Sequence, residues 1–139
     1  MQIKLNHIFL TTHGNTDIID ITQNVIESVD SSTLTSGLVT IFCPSSTSAI
    51  TTLEYEPGVQ QDLKRIFNEL VPAESTYQHD EAWHDGNGHS HIRAALLKAS
   101  LTVPLINGRM TLGTWQQIVF IDFDTRPRKR EIIVQIIGE

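Results

Sequence analysis

Histidine is the residue type whose spacing in this chain first suggests chemistry. Four of the six histidines, His79, His84, His89 and His91, lie within thirteen residues of one another. Acidic and amide side chains alternate with them, namely Asp80, Glu81, Asp85 and Asn87. Neutral imidazole nitrogens bind zinc, iron or nickel, and neighbouring carboxylates orient the rings. The segment therefore predicts a divalent metal site, with zinc the first candidate, or a set of acid–base groups.

The helix that follows this segment affects what the histidines can do. Asn87 or Ser90 can cap it, which places His89 and His91 in its first turn. The positive end of the helix dipole favours the neutral imidazole that a metal needs. The same exposed N–H groups could instead hold a phosphate. On a helix, His89 and His91 would point about 200° apart, so both serve one ion only if one precedes the helix. A polar loop whose histidines merely cap backbone groups is the alternative interpretation.

Hydroxyl and carboxylate groups near the second helix are further candidates. Ser45, Ser46, Thr47 and Ser48 are consecutive. No Gly-x-Ser-x-Gly elbow accompanies them, which disfavours a nucleophilic serine. Glu56 is best explained as a helix cap, whereas Glu54 is a candidate general base if it faces the histidines.

The C-terminal third contains a Trp-Gln pair and a cluster of charges. We expect Trp115 and Gln116 in a strand, with Trp115 anchoring a core or interface and Gln116 available to a ligand. Asp122 and Asp124 should share one strand face, exposed to solvent or paired with Arg126 or Arg128. Four basic residues within five positions predict a small anion-binding patch: Arg126, Arg128, Lys129 and Arg130.

The pattern of apolar and turn-forming residues predicts the elements that position these groups. A strand is expected over 2–12, followed by a helix capped at Asn15, Thr16 or Asp17 and carrying Ile18, Ile21 and Val25 on one face. The remaining expected elements are strands 37–43 and 49–53, a helix from Glu56-Pro57-Gly58 to Pro72, a polar loop over 73–88 and a helix over 90–99. Strands 100–106, 109–123 and 128–137 end the chain, the second of them either continuous or broken at Gly113. Asn107-Gly108 is a hairpin signal because both residues tolerate positive φ.

This order of elements predicts a fold class. Terminal strands joined by tight turns favour antiparallel pairing. We expect one α+β domain over residues 1–139. Its mainly antiparallel, sandwich- or barrel-like sheet would be packed by two longer helices and one short helix.

Charge and composition exclude some functions. The formal charge of −6 argues against general nucleic-acid binding, which requires a basic surface. The N-terminus has neither the basic start nor the apolar stretch of a signal peptide, and no apolar run is long enough to cross a membrane. A single cysteine allows no disulfide within the chain. From these features together we expect the chain to be soluble and cytoplasmic.

Several motifs resemble those of the YjbQ-like family, whose members are commonly described as secondary thiamine-phosphate synthases. They occur in the family's order from residue 38 onward: Ser46-Thr47-Ser48-Ala49-Ile50, Glu56-Pro57, Asp62-Leu63, Tyr77-x-His79-Asp80, Asn87-Gly88-His89-x-His91, Pro104, Gly108-Arg109-Met110-x-Leu112-Gly113-Thr114-Trp115-Gln116 and Asp124-x-Arg126-x-Arg128. The resemblance implies an α+β fold, a homotrimer with its site near a subunit boundary, and family histidine positions at His79 and His91. The family usually has a histidine where this chain has Ser46.

Two functional hypotheses follow. In the first, His79 and His91, with Asp85 and Glu54 as further catalytic candidates and His89 as a third metal ligand, act on a small phosphorylated or heterocyclic substrate. The candidate substrate-binding residues are Ser46, Thr47, Asn87, Gly88, Gln116, Arg126 and Arg128. The resemblance would make the reaction thiamine-phosphate synthesis, which we expect to be a side activity because no dense acidic motif for magnesium is present. In the second hypothesis, the chain is a non-catalytic trimer that binds a metal or anion or serves in assembly.

Overall fold

The computed structural model of the chain covers residues 1–139 and contains eight strands and four helices. The strands are β1 (Gln2–Thr12), β2 (Asp17–Asp20), β3 (Ser36–Phe42), β4 (Ser48–Leu53), β5 (Ser100–Ile106), β6 (Arg109–Met110), β7 (Gln117–Asp122) and β8 (Arg128–Gly138). The helices are α1 (Thr22–Ser32), α2 (Pro57–Leu70), α3 (Gln78–Trp83) and α4 (Gly88–Leu97).

The strands form two antiparallel sheets. The larger sheet has the order β1-β8-β3-β5-β6, and the smaller has the order β2-β7-β4. Every strand pairing is antiparallel. The α+β class with a mainly antiparallel, sandwich-like sheet is therefore confirmed.

Strand β7 is buried on both faces. Ile118 and Phe120 belong to the core shared with the larger sheet and α1. Val119 and Ile121 belong to a second core, where Phe67 of α2 and Ala94 of α4 also pack. A strand covered on both faces has no alternation of apolar and polar residues, which explains the uninterrupted apolar run from 118 to 121.

Two local predictions are confirmed in detail. The carboxylate of Glu56 accepts hydrogen bonds from the N–H groups of Gly58 and Val59 at 2.8 Å, so it caps α2. Asn107 and Gly108 join β5 to β6 with φ values of 52° and 74°. Only residues that tolerate positive φ fit this turn.

The predicted start of the first helix is wrong. Residues 17–20 form β2, which pairs with β7, and α1 begins only at Thr22. Asn15 and Thr16 both have positive φ, so neither caps a helix. The first turn is instead supported by Asp20, whose side chain accepts a hydrogen bond from the Thr22 N–H at 2.9 Å.

Two further segments differ from expectation. The loop over 73–88 contains the short helix α3, and the strand expected over 109–123 is interrupted at residues 111–116, around the break that was considered at Gly113. Trp115 lies in this interruption and is 73% exposed, so it does not anchor the core, and its predicted alternative role as an interface anchor stays a prediction. No helix has the length and apolar character needed to span a membrane.

Candidate functional site

Three side chains between α3 and α4 form a compact group of metal-ligating atoms. One nitrogen of His79 and one carboxylate oxygen each from Asp80 and Asp85 lie within 4.8 Å of one another. His79 and Asp80 are consecutive on α3, and the chain then reverses at His84 and Gly86, whose φ values are 56° and 64°. This reversal brings Asp85 back onto His79, with Oδ2 3.2 Å from Nε2.

His91 reaches the same group from α4. Its ring centroid lies 4.4 Å from that of His79, and the two ring planes are tilted by 52°. Two histidines twelve positions apart are therefore adjacent because α3 and α4 pack together. We call His79, Asp80, Asp85 and His91 the imidazole–carboxylate cluster.

Backbone hydrogen bonds hold both carboxylates of the cluster. One oxygen of Asp80 accepts the Gly88 N–H at 2.8 Å, and one oxygen of Asp85 accepts the Asn87 N–H at 3.1 Å. Desolvation acts to raise the pKa of the Asp85 carboxyl, but the hydrogen bonds from Asn87 and His79 lower it by a larger amount. The pKa of Asp85 is therefore below its ordinary value, and the carboxyl is ionised. The N–H groups of Asn87 and Gly88 at the start of α4 already donate to these carboxylates, so they are not free to bind a phosphate.

His89 lies apart from the cluster, on the buried side of α4. It is 4% exposed, and its ring centroid is 6.4 Å from that of Tyr77. Burial, followed by the charge of Arg93, lowers the pKa of the His89 imidazole, so this ring is neutral. Of the three predicted metal ligands, the structure brings together His79 and His91 and separates His89 from them.

A small cavity adjoins the cluster at His91. It has a volume of about 260 Å³, and its polar lining is supplied by Ser45, Ser46, Ser48, His91 and Lys98. Ser46, predicted to contact substrate, therefore lies beside one of the two clustered histidines. The serine turn after β3 reaches this place because β4 packs against α4.

Three other predicted substrate-binding residues, Thr47, Asn87 and Gly88, are buried within the fold. The Thr47 hydroxyl donates to Asp124 at 2.9 Å and accepts from Arg130 at 2.8 Å. The Asn87 side chain is buried, and its Oδ1 atom has no hydrogen-bond partner. A Cβ on Gly88 would lie 2.5 Å from that of Tyr77, so close packing of α4 on the start of α3 explains the glycine.

The basic C-terminal segment does not form a free anion patch. Arg130 contacts Asp122 at 2.8 Å and Asp124 at 3.5 Å, and Arg128 contacts Asp124 at 3.1 Å. Both carboxylates are buried, so of the two predicted alternatives solvent exposure is wrong, and pairing with Arg128 is confirmed for Asp124. Arg126 remains exposed.

Glu54 and Gln116 lie at the other end of the molecule. Glu54 is exposed just beyond β4, about 20 Å along that strand from Ser48. The Gln116 amide donates to Thr52 at 3.2 Å near the same end. The largest cavity, about 430 Å³, is also there and contains no histidine. Within one chain, neither residue joins the imidazole–carboxylate cluster.

The sequence did not mark two residues as candidate site residues, namely Asp80 within the cluster and Lys98 beside it. Asp80 was noted only as one of several interleaved carboxylates, although its Tyr-x-His-Asp context was visible. Lys98 carries no sequence signal, because only the packing of α4 on β4 places it beside His91.

Comparisons with known proteins show what the chain is similar to. A family model described as UPF0047 protein YjbQ-like matches residues 6–139. A UPF0047 protein of Methanothermobacter thermautotrophicus is 39% identical over 139 residues, which is 100% of this chain and 95% of the relative. UPF0047 protein YugU of Bacillus subtilis is 35% identical over 136 residues, covering 96% of this chain and 99% of the relative.

Solved structures show the same fold. A YbjQ-like protein of unknown function from Sulfolobus solfataricus has a TM-score of 0.94 at 30% identity, with 99% of each chain covered. A YjbQ/UPF0047-family protein from Clostridium acetobutylicum has a TM-score of 0.87 at 38% identity, covering 95% of this chain and 99% of that one.

Proposed function

The chain belongs to the YjbQ-like UPF0047 family, and from this premise we propose that it is a metal-dependent enzyme acting on a small phosphorylated molecule. The divalent ion would be held by His79, Asp80 and Asp85, with His91 as a fourth ligand or as the adjacent acid–base group. Zinc is the first candidate, because mixed imidazole and carboxylate donors suit it.

The observation that carries this proposal is the convergence of three ligand atoms within 4.8 Å beside a second imidazole. Two carboxylate side chains beside an imidazole are a donor set that suits a divalent cation. The side chains of His79 and Asp85 are 32% and 45% exposed, so a bound ion would keep open positions for water and substrate. A site that served structure alone would be closed.

The proposed chemistry divides between the ion and the protein. A bound divalent ion lowers the pKa of a coordinated water or polarises a phosphoryl oxygen. Asp85 orients the His79 ring through its contact with Nε2. His91 lies where the cluster meets the cavity lined by Ser46, so it is placed to transfer a proton to or from a substrate there.

The family resemblance suggests thiamine-phosphate synthesis as one reaction to test. Asp80 and Asp85 supply a carboxylate pair that the sequence did not reveal, yet one oxygen of each already accepts a backbone hydrogen bond. We therefore propose this synthesis as a side activity. A purified protein whose turnover matches that of a dedicated synthase would contradict this proposal.

The outer face of the larger sheet supports the proposal that the protein is a homotrimer. Strands β1, β3, β5 and β8 present apolar side chains on the face opposite the core, and the most exposed of these are Ile3, Leu5, Phe9, Leu38, Phe42, Ile106 and Ile137. Ile3, Ile137 and Leu38 lie side by side across three strands. Polar residues such as Gln135 and Thr40 lie between these apolar side chains, and exposed apolar groups of this kind are a candidate site of association.

The metal site is tested by elemental analysis of untagged protein purified without chelators. Wild type should contain about one zinc or similar ion per chain, and His79→Ala and Asp85→Asn should lose it with the fold intact. His84→Ala is the matched control, because His84 is exposed in the same segment but lies outside the set of three ligands. Folded wild type that takes up no metal after incubation with zinc would contradict the proposal.

A further inference from the structure

Lys98 ends α4 in a backbone conformation that lysine rarely adopts. Its φ and ψ are 74° and 167°, a region populated almost only by glycine because a Cβ is strained there. The Lys98 N–H donates to the Ala94 carbonyl at 2.8 Å, and its carbonyl accepts from the Ile50 N–H at 3.2 Å. Hydrogen bonds to α4 and to β4 thus fix the backbone in the strained state. Strain of this kind is concentrated at functional sites.

The strained lysine lines the cavity that adjoins the imidazole–carboxylate cluster. Hydroxyl groups of Ser45, Ser46 and Ser48 line the same cavity, which contains no carboxylate. Lys98 forms no ion pair within the chain. The cavity lining therefore includes one lysine without an ion-pair partner and three serines, beside two alanines of α4 and Ala99 just before β5.

Ser48 provides an independent sign of a missing partner. Its side chain is 1% exposed, and its Oγ makes no hydrogen bond within the chain. The Cys43 thiol, a weak hydrogen-bonding group, lies close enough to the Ser48 hydroxyl to have its own pKa lowered by it. A buried hydroxyl with no stronger partner than a thiol is costly, and Ser48 lies in the wall of the cavity.

We propose that this cavity binds a phosphate group, with Lys98 as its cation and the serine turn as its hydroxyl donors. A tetrahedral oxyanion accepts from several donors at once, which matches a lysine ammonium surrounded by hydroxyls. The strain at Lys98 is retained because glycine, the residue that the backbone conformation prefers, would supply no charge.

This inference rests on the proposed function, because His91 is common to the cluster and the cavity. A phosphate in the cavity would place the body of its ester against His91 and the metal ligands. The substrate class is therefore a small phosphomonoester that spans the cavity and the cluster.

The test measures binding of inorganic phosphate by titration calorimetry on zinc-incubated and metal-free protein. Lys98→Ala and Lys98→Gly should each weaken phosphate binding by at least about tenfold, since a charge-assisted contact is lost, while Lys98→Arg retains binding. Zinc content should be unchanged in all three variants. Lys64→Ala, which removes an exposed lysine from α2, should bind phosphate like wild type.

Thermal unfolding separates a functional lysine from a structural one. Lys98→Gly should raise the melting temperature by a few degrees because it relieves the backbone strain, and Lys98→Ala should not. A lysine retained for stability would give the opposite result, a lower melting temperature in Lys98→Gly.

The outcomes distinguish this inference from the proposed metal site. If wild type binds no zinc but binds phosphate in a Lys98-dependent way, the phosphate site stands without the metal. If zinc binds normally and Lys98→Gly binds phosphate as tightly as wild type, the phosphate site is wrong and the metal site stands. Wild type that binds acetate as tightly as phosphate, or binds neither, would also overturn the phosphate assignment.

Discussion

Asp122 and Asp124 are the most completely buried acidic residues of the chain, at 0% and 2% exposure. Arg130 bridges them, and Thr47 and Arg128 add hydrogen bonds to Asp124. Buried carboxylates are tolerated only when charges and donors compensate them. This network ties the end of β7 to β8 and to the serine turn before β4, so it fixes one wall of the proposed phosphate site.

Asp124→Asn should destabilise the protein at neutral pH by about 3 kcal/mol, because two arginines lose a buried partner. Burial acts to raise the pKa of the Asp124 carboxyl, but hydrogen bonds from Thr47, Arg128 and Asn87 lower it by a larger amount, so the net pKa is below its ordinary value. The folded state then binds fewer protons than the unfolded state near and below the ordinary value of 3.8. The contribution of Asp124 is therefore complete above that value and is lost as the pH falls toward the lowered pKa.

Urea unfolding from neutral pH down to about 3 measures this dependence. The stability of wild type should fall more steeply at the acidic end than that of Asp124→Asn. Asp62→Asn, which alters a carboxylate whose side chain is 73% exposed, should follow wild type. Parallel curves for wild type and Asp124→Asn would show that the carboxyl has no lowered pKa.

At the scale of elements, the junction of α2 and α4 positions His91. Helix α2 has no basic residue in its last turn, and its C-terminal carbonyls receive Arg93 from α4 instead. The guanidinium donates to the Val71 carbonyl at 2.8 and 2.9 Å, to Thr16 at 3.1 Å and to Asn68 at 3.2 Å. A positive charge at the negative end of a helix dipole is favourable, so Arg93 is stable here without a carboxylate partner.

Arg93→Met should destabilise the protein by about 2–4 kcal/mol, because buried carbonyls of α2 would lose their donors. Chemical denaturation of the purified variant measures the change. Arg65→Met on α2 is the control, since its exposed contact with Glu69 at 3.0 Å is worth at most about 0.5 kcal/mol. An effect of Arg93→Met no larger than that of Arg65→Met would show that the junction does not depend on the guanidinium.

The short helix α3 shows why the site was only partly visible before folding. Six residues are too few for an apolar period to be recognised, and none of them is buried. The helix forms because Asp80 and Glu81 occupy its first turn and because Gly88 allows α4 to pack on Tyr77. The grouping of His79, His91 and Asp85 was thus predicted, whereas the helix that brings them together was not.

At the scale of the molecule, the two ends of β4 carry different groups. The imidazole–carboxylate cluster and the proposed phosphate cavity lie near Ser48, at one end of β4. Beyond Leu53, at the other end, lie Glu54, Gln116 and the cavity of about 430 Å³. The residues of the family motifs therefore lie at two separate places in a single chain, one at each end of β4. Association of chains through the outer sheet face is one way for the two ends to meet.

Phe9→Glu should convert the proposed trimer to single chains, because a charge in the apolar face must lose its hydration on association. Phe9 is 75% exposed in the chain, so the substitution leaves the fold intact. Leu70→Glu is the control, because Leu70 is 70% exposed on α2, away from this face. Sedimentation velocity gives the masses. Wild type that sediments as a single chain at micromolar concentration would contradict the proposal.

The amino-acid sequence by itself determined most of the local structure. Four of the eight strands fall within the residues where strands were expected, and three more extend beyond them by one residue. Glu56 and Asn107-Gly108 serve as the cap and the turn that were predicted. These features depend on neighbouring residues and on alternation along one segment, both of which are written in the chain. The family motifs and the importance of His79 and His91 were also visible there.

The tertiary structure alone decided which of the candidate groups meet. Arg130 pairs with Asp122 and Asp124, and Lys98 joins the serine turn, because these contacts depend on how α4, β4 and β8 pack. Burial also depends on packing, which is why only the fold decides that Asp122 and Asp124 are paired in the interior and not exposed at the surface. Contacts between distant segments carry no local pattern, so only the folded chain shows them.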